Sequence, residues 1–339
     1  MSDTIVKTMP LEPIWQTPDP FLFCVHHLDF YPKANAQLGP DASLQGHQLG
    51  QDFMPTNGDD WRMYHGQTMP GFPAHPHRGF ETITVTTQGL IDHADSMGAA
   101  GRYGNGDTQW MTAGKGVQHA EMFPLLDEVE PNPLELFQIW LNLPAANKMV
   151  EPHFTMFWNE QTPQLVSKDE SQRKTRVKIV AGDLEGLNAL APPPDSWASG
   201  ADNEVAVWII DMDANAQWTL PAASSGLNRR LYYYDGAGLS LDEKFIPLNH
   251  CIDLISDRSV ALKAGEQGAQ LLLLQGRPIN EPIAQYGPFV MNNKAELQQA
   301  FADYQATQFG GWPWSEAEQS HGKTQGRFAR YADGREEQP

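Results

Sequence analysis

The residues best suited to chemistry lie in two short stretches, Phe72-Pro-Ala-His75-Pro-His77-Arg-Gly-Phe-Glu81 and Gly114-Lys-Gly-Val-Gln-His119-Ala-Glu121. In a β-strand, side chains two residues apart project from one face, so His75 pairs with His77 and His119 with Glu121. Two such strands lying together present three imidazoles and one carboxylate to a single point. That donor set suits a divalent first-row metal, and four protein ligands leave coordination positions for water, substrate or dioxygen. A lone His-x-His is more often a solvent-facing coincidence than a ligand pair, so the reading depends on the elements that carry it.

Those elements read as strands. Residues 80–87 form a β-branched run. Within it Ile83 and Val85 share the parity of His75 and His77, which turns the histidines toward the same apolar interior if no bulge intervenes. A buried imidazole needs a partner, and a metal ion is a good one. Gly89, Gly98, Gly101, Gly104, Gly106, Gly114 and Gly116 separate short strand candidates with tight turns, the pattern of a small antiparallel barrel. A strand over 134–143 sets Phe137, Ile139 and Leu141 on one face and Gln138, Trp140 and Asn142 on the other. Parity does not say which face meets the cavity, so Gln138 and Trp140 stay open as pocket residues.

The run His75-Pro-His77-Arg-Gly-Phe-Glu-Thr, followed by His93-Ala-Asp-Ser-Met-Gly98, Gly106-Asp-Thr-Gln-Trp-Met-Thr-Ala-Gly-Lys-Gly116 and His119-Ala-Glu121-Met, resembles the pirins, a branch of the cupin superfamily. Phe137-Gln-Ile-Trp-Leu-Asn-Leu-Pro144 and Tyr286-Gly-Pro-Phe-Val-Met-Asn292 extend the resemblance over roughly residues 70–310. It implies an all-β fold of two cupin (jelly-roll-like) β-barrels in tandem. It also implies iron held in the first barrel by His75, His77, His119 and Glu121, with a second barrel that has lost its ligands. In many other cupins the carboxylate ligand occupies the place of Glu81, which shares the parity of His77 and stays open as a ligand or a supporting carboxylate. The activity implied is that of a quercetin 2,3-dioxygenase, a metal-dependent oxidoreductase acting on a flavonol-like aromatic substrate and dioxygen. Glu121 then accepts the proton of the flavonol hydroxyl. The alternative is a non-catalytic, iron-dependent regulator that binds a protein partner. Three nitrogens and one oxygen also admit Zn, Ni, Cu or Mn. The family leans toward monomers.

Composition narrows the classes. Lys+Arg 23 against Asp+Glu 42 gives a formal charge of −19, which repels a nucleic-acid backbone, and no basic run offers a local exception. No apolar run is long enough for a bilayer, and Met1-Ser-Asp-Thr-Ile-Val-Lys lacks a signal-peptide core, so a cytoplasmic protein without membrane attachment is expected. Cys24 and Cys251 read as reduced thiols.

At 339 residues the chain is comfortable for two domains. Residues 1–60 read as an N-terminal segment and loop, the part from 35 to 60 as a lid near the metal. Residues 61–150 read as the metal-binding barrel, 151–176 as a polar connector and 177–290 as the second barrel without metal. Residues 291–309 read as a short C-terminal helix, with Asn293 as cap and Leu297, Phe301 and Tyr304 as the face packed on a barrel. Residues 310–339 read as a tail, weakly ordered from about 316 onward. His65 stays open as a fifth ligand. His26 with His27, and His250 with Cys251, are adjacent pairs that diverge on a strand and do not chelate as same-face pairs.

Overall fold

β-Branched runs broken by glycine turns make antiparallel strands the dominant regular structure, with one α-helix among the described residues, Lys294–Thr307. This computed structural model describes residues 4–54 and 58–339. Met1 to Asp3 of the expected N-terminal segment, and Pro55, Thr56 and Asn57 of its loop, lie outside the described residues. Two compact units emerge, residues 1–24 with 161–280, and residues 25–160 with 281–339.

The second of these units carries the His-x-His segment. Its five-stranded sheet runs in the order His153–Phe157, Thr108–Thr112, Phe80–Gln88, Asn132–Asn142 and Phe21–Tyr31, the last contributing from Val25 onward. Its six-stranded sheet runs Glu336–Glu337, Phe328–Arg330, Ala100–Gly104, Leu90–Asp95, Val117–Met122 and Gly71–His77. Ile91 and Tyr103 of one sheet join Leu136 and Met156 of the other in a buried cluster. The two sheets are linked where the chain leaves Gly71–His77, turns at Arg78-Gly79 and enters Phe80–Gln88. Gly79 has φ +86°, and a Cβ there would lie 2.0 Å from Val290 O, so only glycine fits the corner.

That corner overturns one expectation. The two-residue parity of His75 and His77 does not continue into the next strand: the Thr84 hydroxyl reaches Glu121 and Gln138, so Ile83 and Val85 point to the opposite face. The polar connector also holds strands. In His153–Phe157, Phe154 and Met156 are buried in alternation, whereas Gln164–Lys168 is an edge strand with no buried residue. Nor is the tail weakly ordered. Phe328–Arg330 pairs with Ala100–Gly104, and the Trp314 indole N–H donates to Asp95 O at 2.8 Å.

Residues from Glu281 onward belong with the histidine-bearing unit, against an expected second-barrel end at 290. The bridge between Arg78 and Phe289 and the Val290 N–H bond to Arg78 O tie this segment there. The helix starts as its sequence implies, with Asn293 Oδ1 accepting from the Glu296 N–H. The Glu296 carboxylate, however, accepts from Asn292 rather than from the cap residue itself. Leu297, Phe301 and Tyr304 pack on Phe289, Met291 and Ala300.

In the other unit, a seven-stranded sheet includes Asn228–Gly236, Ala269–Gly276, Ala206–Met212 and Lys174–Ala181 as successive neighbours, beside a four-stranded sheet. Leu231, Tyr233, Leu271, Leu273, Trp208 and Ile210 share its apolar interior. His250 bonds through Nδ1 to Leu248 O, and Cys24 and Cys251 are buried free thiols.

Candidate metal centre

Gly71–His77 and Val117–Met122 are antiparallel neighbours, with His75 opposite His119 and Phe72 opposite Glu121. One extra residue of the first strand lies between those two pairs, a β-bulge. The Ala74 N–H in the bulge donates to Ala317 O at 2.9 Å. The result brings together His75, His77 and His119, with one ring nitrogen from each lying within 4.8 Å of the others. Ring centroids are 4.5 Å apart for His75 and His119, and 4.9 Å for His77 and His119.

Backbone carbonyls set the tautomers. His75 Nδ1 lies 2.8 Å from Pro73 O and His77 Nδ1 lies 3.4 Å from Pro288 O, so each ring donates there and keeps its Nε2 lone pair free. His119 is fully buried and, among the described residues, neither of its ring nitrogens has a hydrogen-bond partner. An unpartnered buried polar group costs about 1–3 kcal/mol, a cost that coordination removes. Burial pulls His75 down to about 4. It holds His77 well below the usual histidine value, helped by His75, and does the same to His119, helped by His75 and His77. Neutral imidazoles are the form a metal binds, so the donor set fits a divalent ion.

Glu121 stands beside this trio without joining its tightest grouping. Oε2 lies 3.7 Å from His119 Nε2 and accepts from Gln138 Nε2 at 2.7 Å. The Thr84 hydroxyl lies 2.9 Å from Glu121 Oε1 and 2.6 Å from Gln138 Oε1, and its single proton serves one at a time. Burial raises the Glu121 carboxyl above its ordinary value, against these hydrogen bonds.

The remaining candidates separate clearly. Glu81 is buried and accepts from the Thr112 hydroxyl at 2.6 Å, outside the histidine grouping. His65 is exposed and bonds to Gly50 O. Gln138 and Trp140 both turn to the site, Trp140 with its ring 5.2 Å from His77 and stacked at 4.0 Å on Phe80. Thr84 and His93 were not singled out as site residues by the sequence reading, and Thr84 carries no individual signal there. His93 is fully buried 5.6 Å from His119, with Nε2 3.2 Å from Asp95 and Nδ1 3.2 Å from Gln109. The spacing His93-x-Asp95 on one strand face was the signal that could have found it.

Two antiparallel barrel units, one with three convergent histidines on paired strands, define a two-barrel cupin protein. Residues 16–141 match the family model for pirin and residues 207–310 the one for the pirin C-terminal cupin domain. The chain belongs to the pirin family. A Vibrio cholerae protein provisionally named quercetin 2,3-dioxygenase is 37% identical over 240 residues, covering 70% of this chain and 80% of that one. A pirin-like protein of Solanum lycopersicum is 34% identical over 240 residues, covering 69% and 75%. The crystal structure of a quercetin 2,3-dioxygenase from Acinetobacter baumannii shares the fold, with a TM-score of 0.70 at 24% identity over 91% of this chain and 98% of that one.

Proposed function

We propose that this chain is a metal-dependent dioxygenase of the quercetin 2,3-dioxygenase type, with His75, His77 and His119 as metal ligands and Glu121 as the fourth ligand or the base. The observation that carries the reading is the convergence of three imidazoles, two buried and one half-buried, beside a buried carboxylate; among the described residues neither ring nitrogen of His119 has a hydrogen-bond partner. The name of the Vibrio cholerae relative supports the substrate class. Iron is the ion proposed; bound there, it supplies Lewis acidity to the substrate oxygens and a redox partner for dioxygen.

The chain's own residues do the rest. Glu121 takes the proton of the flavonol 3-hydroxyl, and burial makes it a stronger base than an exposed carboxylate. Gln138 and Thr84 fix its two oxygens so that the proton is met at a defined position. Trp140, with Phe80 stacked behind it, offers a flat apolar wall beside His77 for an aromatic ring. In the net reaction both atoms of dioxygen enter the heterocycle and its bridging carbon leaves as carbon monoxide.

The test is quercetin turnover by iron-loaded protein, followed by loss of the flavonol absorbance band and by released carbon monoxide. His75→Ala is expected to abolish both signals. Equal rates with and without metal, or in the variant, would sink the assignment.

A further inference from the structure

The other barrel unit holds a buried charge that its own fold does not neutralise. Among the described residues four arginines are buried, Arg78, Arg102, Arg229 and Arg230. Three of them meet a carboxylate: Asp303, Asp92 and Asp253 respectively. Arg229, 2% exposed, meets none. One terminal nitrogen donates to Pro221 O at 2.7 Å and lies 3.4 Å from Ser256 O, and among the described residues its Nε has no partner. Burial alone lowers it, to about 10. A guanidinium in that position is costly unless an anion joins it.

The place it occupies is a cavity of about 600 Å³, within the usual size range of small-molecule sites. Arg229 is the cross-strand partner of Gln275, which in turn pairs with Ala206. The same alternation sends Leu231, Leu273 and Trp208 into the apolar interior, so this row forms one end of that interior. Gln275 and Trp208 also line the cavity, and each carries a buried polar atom, Oε1 and Nε1 respectively, with no hydrogen-bond partner among the described residues. Leu184, Leu190, Pro192 and Val205 supply apolar wall. The acids of the lining are less buried: Glu204 is half-buried, and Asp183 and Glu185 are exposed.

We propose that this cavity is a binding site for a small hydroxylated organic monocarboxylate. The Arg229 guanidinium and the Trp208 indole N–H are two donors for a carboxylate. Gln275 Oε1 is an acceptor for a ligand hydroxyl, and the apolar wall takes the carbon body. The outer acids disfavour a second negative charge, which selects against di- and tricarboxylates. The site needs no metal and stands apart from the proposed oxygenase chemistry.

The experiment is calorimetric titration of the full chain with 3-hydroxybenzoate, using 3-hydroxybenzamide and benzoate as the neutral and hydroxyl-lacking controls. Saturable 1:1 binding of 3-hydroxybenzoate is expected, at least tenfold tighter than either control. Arg229→Met should weaken it at least tenfold while leaving the Tm of the ligand-free protein unchanged or higher, whereas a purely structural arginine would lower that Tm on removal. Leu190→Trp, which adds bulk to the cavity lining and leaves Arg229 itself in place, should abolish binding and decides the matter if Arg229→Met fails to fold. His119→Ala should bind as the parent does. No saturable heat, binding that survives both cavity variants, or binding lost in His119→Ala alone would each overturn the proposal.

Discussion

At the scale of single residues, the histidine trio was legible because a strand has a period of two and the trio sits on two paired strands. Its main consequence is measurable. His119→Ala is expected to lower bound iron at least about tenfold in elemental analysis of chelator-free preparations. On the proposed iron site, the same variant should also lose the stabilisation expected of the parent in excess iron, about 2.7 kcal/mol at a hundredfold excess over Kd, read as a rise in Tm. Gln138→Leu addresses Glu121 instead. It removes the 2.7 Å bond to Oε2, so iron should stay bound while kcat falls roughly tenfold to a hundredfold; loss of the metal would show that Gln138 supports the ion rather than the carboxylate. Thr84 was not legible, because reading its face required knowing that the two-residue alternation is reset between His77 and Phe80. His93 was visible only as part of a resemblance, since its closeness to His119 joins residues from neighbouring strands of the sheet.

At the scale of elements, that reset is made by Gly79. Gly79 and Gly98 have the same φ of +86°, but a Cβ on Gly79 would meet Val290 O at 2.0 Å, whereas one on Gly98 would meet nothing within 4 Å. Gly98→Ala therefore carries only the left-handed backbone cost, about 1–2 kcal/mol. Gly79→Ala adds a collision with a backbone atom and is expected to cost at least about 3 kcal/mol in all. Thermal unfolding of the two variants under one set of conditions checks this; equal Tm values would mean that the segment around Val290 yields freely. The outer elements were hard to read for a different reason. Phe328–Arg330 is too short for any periodicity to show, and Gln164–Lys168 has no fully buried residue, only Leu165 packed in part against the core. Both exist through backbone pairing with longer neighbours, a contribution that residue types along the chain do not record.

At the scale of the whole molecule, alternation and glycine spacing carried the all-β reading, while the allocation of segments to units did not follow chain order. Residues 281–339 close on the unit built from 25–160, an arrangement that depends on contacts such as the Arg78 ion pair with Asp303, distant in sequence. The same distance hides a titratable pair of partners. His27 is buried and bonds through Nδ1 to the Tyr64 hydroxyl at 2.8 Å, and Tyr64 in turn donates to Asp29 at 2.6 Å. Burial lowers His27 to about 3, helped by the positive charges of Arg62 and His26. An unfolded histidine titrates near about 6.5. Between those two values the unfolded chain holds a proton that the fold does not, so stability rises with pH across the window. The contribution is complete above about pH 6.5 and is lost as pH falls toward about 3, at no more than about 1.4 kcal/mol per unit. Asp29, raised by burial against the opposing pull of Arg62, titrates in the other direction but is common to parent and variant. Urea unfolding of the parent and of His27→Gln at pH 7.5 and pH 5 isolates the histidine. The variant should be the less stable at pH 7.5, having lost the Tyr64 bond as the parent makes it, and should recover relative to the parent by roughly 2 kcal/mol at pH 5. Parallel stability profiles for the two proteins would show that His27 is protonated in the fold, with its ring open to water.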